Sequence, residues 1–312
     1  MKFKVILCLL SLVCVFSACQ TAEKKEETKA NDNSGASEAK SPAGDSKDNS
    51  ADTAGPLKFP VDGVMLEETK AKAGEHVLVP SYNWLKDAQA KGLDQVTMIF
   101  YAQKMDTPGK EMSKVKFMSD SQDVPNVYII PIPAGQSAKK GDIVLTWWQS
   151  GSGMNRAIVT DDADPKRPVV RYLDIAYDNP AQSADKKTTI GKMDEQLKPD
   201  TFVVINSPMQ SGSAVAIQDG GDVKHGQIIN VAGDKVYVIG FAGKTAVYDR
   251  AKVSAVPIKP AVKAGDTVKA ERFGKFSSAK VTKVDENIGR VFVKFDGGGD
   301  KEEAIAFGDV MK

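Results

Sequence analysis

By hydrophobic and polar positions alone, the chain falls into three textures. Val5–Phe16 is a run of twelve residues in which Ser11 is the only polar one. Residues 20–56 contain no Val, Ile, Leu, Met, Phe, Trp, Tyr or Cys. From Leu57 onward, short alternating apolar stretches are broken by turn residues, the pattern of β-strands. One stretch differs: Ser81–Lys91 predicts a short helix, with Ser81 as N-cap and Gly92 just past its end. Thr97–Ala102 and Asn126–Ile132 predict strands.

Within the third texture a phrase recurs. It reads Lys72-Ala73-Gly74-Glu75-His76-Val77, then Lys139-Lys140-Gly141-Asp142-Ile143-Val144. It returns as Leu197-Lys198-Pro199-Asp200-Thr201-Phe202 and Lys263-Ala264-Gly265-Asp266-Thr267-Val268. The acids lie 67, 58 and 66 residues apart. A turn residue, an acid and then alternating apolar positions describe a turn feeding a strand, and the interval suggests an array of similar small units. The last unit is clearest. Asp266–Lys269, Ser278–Val284, Arg290–Phe295 and Glu302–Phe307 read as strands. Ala279, Val281 and Val284 are candidate core positions, and Val291, Val293 and Phe295 share one face. Val256-Pro257-Ile258-Lys259-Pro260 reads as a linker between units.

The first nineteen residues carry a different message. Lys2 and Lys4 precede the apolar run, and Ser17-Ala18-Cys19 closes it: a positive end, a short apolar core and small residues at a cleavage point, as in a secretory signal. The run is shorter than the roughly 20 residues needed to span a bilayer. Ser17-Ala18-Cys19 resembles the lipobox of bacterial lipoproteins, whose invariant cysteine is lipidated and becomes the mature N-terminus. Phe16 stands where that family usually has Leu, a departure that spirochaete lipoproteins tolerate. The resemblance implies a lipid on Cys19, membrane anchoring outside the cytoplasm and, with Gln20 next, the outer membrane. Residues 20–56 lack the apolar groups needed to offset the entropy of ordering. They predict a disordered tether spanning roughly 30–35 Å.

Gly265-Asp266-Thr267-Val268-Lys269-Ala270, Ser278-Ala279-Lys280-Val281 and Val291-Phe292-Val293-Lys294-Phe295-Asp296-Gly297 resemble the Tudor and agenet branch of SH3-like barrels. His225–Val231 and Lys235–Phe241 follow the pattern in part, and Gly141–Asp174 more loosely. The expected fold is therefore mostly β, three or four small SH3-like antiparallel barrels in series after the tether. The expected order is a signal peptide (1–18), lipidated N-terminus and tether (19–56), a β-rich domain (57–138) and SH3-like units at 139–196, 197–260 and 261–312. Tudor and agenet domains bind peptides, often through an aromatic cage. The resemblance carries that role to Phe273, Phe276 and Phe295, each of which also fits a core position.

Charge and chemistry narrow the function. Without Lys2 and Lys4 the 42 basic residues become 40, against 41 acidic ones, with no basic block. That balance argues against nucleic acid as a partner. All three cysteines lie within residues 1–19, so the folded part has no disulfide, cysteine nucleophile or cysteine metal ligand. His76 and His225 have no partners at triad or metal spacing, so neither a metal nor a cofactor is expected. Asp161–Asp164, Asp219–Asp222 and Asp296–Asp300 are acidic turns without the spacing of a calcium loop. Trp147 and Trp148 are adjacent on a predicted strand and must point to opposite faces. One should be exposed, with Tyr172 or Tyr177 near it, unless a neighbouring barrel covers the outer ring. The expectation is a non-enzymatic envelope lipoprotein that binds a protein or cell-wall ligand. The alternative is a structural lipoprotein with no dedicated site. An enzyme is the third reading, which carboxylates lining one pocket would favour.

Overall fold

A computed structural model describes residues 65–176 and 191–312, all within one compact unit. Its strands form three antiparallel sheets. In the first lie β1 (His76–Pro80), β2 (Phe100–Thr107), β3 (Met112–Phe117), β4 (Asp120–Pro125) and β5 (Ile130–Ile132), with α1 (Tyr82–Lys91) between β1 and β2. The second has β6 (Ile143–Trp147), β7 (Met154–Asp161), β8 (Val169–Tyr172), β9 (Asp194–Gln196) and β10 (Val203–Val204). The third begins with β11 (Ala214–Asp219), β12 (Asp222–Ala232), β13 (Lys235–Gly240), β14 (Thr245–Asp249) and β15 (Val253–Ala255). It continues with β16 (Thr267–Arg272), β17 (Lys275–Asp285), β18 (Arg290–Phe295), β19 (Glu303–Ala306) and β20 (Val310–Met311). A single residue pair, Lys224 opposite Lys275, joins its two halves. The strands therefore fall into four sets of five. In every set the first four strands form a meander and the fifth returns beside the first.

The recurring phrase has a physical basis in the turn before each first strand. Gly74, Gly141, Gly212 and Gly265 have φ of 82°, 88°, 86° and 92°, values that glycine adopts without steric cost. Each turn is closed by a backbone bond from the next residue to the one two before the glycine, as from Asp142 N to Lys139 O at 2.9 Å and from Asp266 N to Lys263 O at 3.1 Å. The acid then folds back: Lys72 N donates to Glu75 Oε2 and Lys139 N to Asp142 Oδ2, both at 2.8 Å. Each glycine N–H also donates to the second strand, reaching Met105, Val159, Ile228 and Val281 O at 2.8 Å. The strand register slips immediately after each of those four residues. A glycine turn and a β-bulge thus lock together in every set.

The third opening is not where the sequence pattern placed it. Pro199-Asp200-Thr201 leads into β10, which pairs with β6 of the second set. The turn feeding β11 is Gln210-Ser211-Gly212-Ser213. It has the glycine but a serine for the acid, and Ser213 Oγ donates to Ser207 O at 2.7 Å instead. The expected strand at Asn126–Ile132 is also divided. Asn126–Tyr128 is a 3-10 turn and only Ile130–Ile132 is strand. Buried Asn126 accepts from Ser113 Oγ at 2.6 Å and donates to Gly109 O at 3.0 Å, bonds that tighten the chain there. The predicted helix forms, with Ser81 Oγ accepting from Trp84 N at 3.4 Å.

The four sets follow one another along the chain, yet they share a core. One cluster of buried side chains includes Leu78, Ile158, Tyr237 and Val293, drawn from all four. β7 explains how: Asn155–Val159 is buried on both faces. Ala157 and Val159 face the core of their own sheet, while Ile158 joins the shared cluster. Asn230 Nδ2 donates to Val127 O and Ile129 O at 2.9 and 3.0 Å, tying the third set to the first. The expected linker is part of this packing, with Val256 buried and Ile258 against the shared cluster. Val284 is only half-buried, because the bulge after Val281 shifts the strand register before Val284. No helix of the described residues is long and apolar enough to cross a membrane.

Candidate functional site

The aromatic residues singled out by sequence separate into different environments. Trp148 is buried in the core of the second sheet, where its Nε1 donates to Lys192 O at 2.7 Å. A Cβ on Gly151 or Gly191 would lie 2.3 or 2.4 Å from its ring, so only glycine lets the backbone close over it. Tyr172 is fully buried beside it, and its hydroxyl donates to Glu195 Oε2 at 2.7 Å. Burial drives the Tyr172 phenol well above its usual range. The Gln149 N–H offsets this slightly, and the Glu195 charge adds to it. Trp147 is half-buried on the opposite face, with its ring centroid 5.1 Å from that of His76 in the first set. A neighbouring set covers the outer ring.

Of the three phenylalanines, Phe276 and Phe295 are buried. Phe276 packs edge-on to His225 at 5.6 Å between centroids. The Arg272 guanidinium lies 4.7 Å from the Phe295 ring and 5.6 Å from the Phe273 ring, and it bonds Glu303 at 2.9 Å. The cation facing those two rings therefore belongs to the chain itself. Phe273 is different: it is 76% exposed. Cys19 and Tyr177 lie outside the described residues.

Phe273 stands at the mouth of a cleft of about 1000 Å³ where the second, third and fourth sets meet beside Met98 and Ile99 of the first. The floor of the cleft is charged. Arg156, its side chain only 3% exposed, bonds Asp174 at 2.6 Å and Asp309 at 2.8 Å, and donates to Phe307 O at 3.2 Å. His225 Nε2 lies 2.9 Å from Asp309 Oδ1, and Gln227 Nε2 donates to Asp174 Oδ2 at 3.0 Å. Arg290 donates to Leu173 O at 2.8 Å. These bonds join all three sets. Burial would raise the Asp309 carboxyl, but Arg156 and His225 override it and hold the carboxyl well below the usual range. Burial opposes the charge on Arg156 too, and Asp174 and Asp309 more than restore it. For Arg290 burial wins over those same carboxylates, and its pKa falls to about 10.

The rim is apolar and unpaired. Among the described residues the exposed large apolar side chains are Ile99, Met118, Phe241 and Phe273, and all but Met118 line this cleft. Five carboxylates line it as well. Asp174, Asp309 and Glu303 are bound to arginines. Glu271 and Glu302 accept instead from Gly274 N at 2.8 Å and Thr282 Oγ1 at 2.5 Å, with no cationic partner among the described residues. No three His, Cys, Asp or Glu side chains among the described residues gather to hold a metal ion.

Of the cleft residues, the sequence singled out Phe273 as a candidate ligand group and weighed His225 without finding it a partner. Arg156, Asp174 and Asp309 were missed because Arg156 meets Asp309 across 153 positions and Asp174 across 18, beyond the reach of any local pattern. A signal was present: Arg156 directly precedes the apolar strand residues Ala157–Val159, where a charge has no place unless it is paired. Phe241 and Glu271 carried no such mark. No protein-family model and no curated protein matches this chain.

Proposed function

We propose that the chain is a non-enzymatic lipoprotein, anchored in the outer membrane through a lipid on Cys19, that binds a partner protein in this cleft. The observation that carries the proposal is the gathering of Ile99, Phe241 and Phe273 at one concave site. Contiguous exposed apolar groups beside polar ones mark interaction surfaces. The carboxylates argue less for catalysis, since three of the five are held by arginines, and the Arg156–Asp309 pair among them ties the second set to the fourth. The recurrent strand order, with the fifth strand beside the first, supports reading each set as an SH3-like module. The burial of Trp148, Tyr172, Phe276 and Phe295 favours a second possibility, a structural lipoprotein whose aromatic groups serve only packing.

Two experiments decide. Radioactive palmitate should label the chain in cells and fail to label Cys19→Ser; label retained by the variant rejects the anchor. Envelope proteins captured by the full-length chain should be lost from Phe241→Ser/Phe273→Ser, with the melting temperature preserved. Capture unaffected by the double substitution, or capture of purified cell wall alone, would reject a protein partner in the cleft.

A further inference from the structure

Resting on the cleft as a binding site, we infer that its partner enters as an extended segment carrying a basic side chain and adds as a strand to the open edge of β19. Among the described residues β19 pairs with β18 on one side only. Its register sets Arg290 opposite Ala306, Val291 opposite Ile305, Phe292 opposite Ala304 and Val293 opposite Glu303. Just beyond the strand, Phe307 N donates to Gly289 O at 2.8 Å. Hydrogen-bonded and non-bonded pairs alternate along an antiparallel ladder. Ile305 and Glu303 therefore bond to β18, and the N–H and C=O of Ala304 point the other way. That outer edge lies in the cleft, whose lining includes Glu302, Ala304 and Ile305.

An unpaired edge is ordinarily blunted, because it templates the addition of another strand. Here it is left half-buried beside exposed aromatic rings. Main-chain bonding to such an edge supplies affinity, and pockets for alternate side chains supply specificity. Five carboxylates line the site against the cations Arg156, Arg290 and Lys301, and that balance favours a basic side chain. Glu271 is half-buried next to Phe273, and one of its oxygens holds Gly274 N–H. It has no cation within ion-pair distance among the described residues, and neither does the exposed Glu302, just before β19. A Lys or Arg from the incoming strand completes both. Phe241 and Phe273 then cover the aliphatic part of that side chain.

The test begins by panning short random peptides on the full-length chain. Enriched peptides are synthesised and their affinities measured by fluorescence anisotropy. Strand addition predicts that enriched peptides carry Lys or Arg among apolar residues, and that replacing the basic residue by Gln weakens binding about tenfold or more. N-methylation of the peptide backbone should block binding at every second position and be tolerated between. Glu271→Gln should weaken the wild-type peptide by a similar factor at unchanged melting temperature. Peptides that need Phe273 yet tolerate N-methylation and loss of the basic residue would overturn strand addition and leave the cleft as a binding site. Peptides indifferent to Phe273→Ser, or no enrichment at all, would overturn both.

Discussion

The floor and the rim of the cleft lie side by side and obey opposite rules. On the floor, Arg156 and Asp309 are buried and bonded to each other, with His225 on Asp309 and the more exposed Asp174 and Gln227 completing the network. On the rim, Ile99, Phe241 and Phe273 are exposed, and Glu271 has no cationic partner among the described residues. A buried charge is tolerated only when paired and hydrogen-bonded, so the floor reads as structure. An exposed large apolar side chain contributes little to folding, so the rim is free to serve the partner proposed above. Position in one cleft does not make residues functionally equivalent. What separates them is whether their bonds are already satisfied within the chain.

The sharpest way to break this contrast is Arg156→Ala. It leaves Asp174 and Asp309 facing each other without their cation, and should cost about 3–5 kcal/mol of stability by denaturant unfolding. A loss under 1 kcal/mol would mean that the floor is not what joins the sets. Asp309→Asn removes one carboxylate and should cost about 1.5–3 kcal/mol at neutral pH. Its pH dependence sharpens the assignment. The folded Asp309 carboxyl titrates below its unfolded value, so its contribution is fully present above the unfolded pKa. It is lost as pH falls through the depressed folded value. The stability curves of wild type and Asp309→Asn should therefore converge in strong acid; parallel curves would place the acid-labile group elsewhere.

Gly308→Ala should cost of order 1–2 kcal/mol. Gly308 has φ of 88°, and a Cβ there would lie 2.5 Å from Arg156 Nη1. The substitution attacks the floor through the backbone that closes over the guanidinium. Phe273→Ser should change stability by no more than about 0.5 kcal/mol, since the ring is exposed. A loss of several kcal/mol would show that the Arg272–Phe273 contact is structural and that the rim belongs with the floor.

Much of the local structure was legible in the sequence. Gly74, Gly141 and Gly265, each followed by an acid, mark first strands because positive φ and side-chain return to the backbone are decided within four residues. Ser81 and Gly92 mark the helix ends for the same reason. The alternation at Arg290–Phe295 placed Val291, Val293 and Phe295 inward, as found. Legibility failed where the local signal was borrowed by another element. Pro199-Asp200 copies a strand opening yet serves the last strand of the second set, and Gly212-Ser213 performs the opening without the acid.

The site followed the same division. Adjacent tryptophans had to face opposite ways, but their neighbours were not written in the pair: Trp148 meets Tyr172 of its own sheet, and Trp147 meets His76 from another set. Phe273, Phe276 and Phe295 looked alike as apolar residues of one short unit. Packing exposed the first, placed the second on His225 and gave the third to Arg272. The sequence alone determined turns, strand alternation and the helix, because each depends on groups within a few residues or on period two along one strand. Only the tertiary structure decided that Arg156 finds Asp309 and that Phe241 stands beside the same cleft as Phe273. Those juxtapositions depend on how four similar sets of strands pack, and the burial of shared apolar faces, unlike a turn, leaves no mark at any one position.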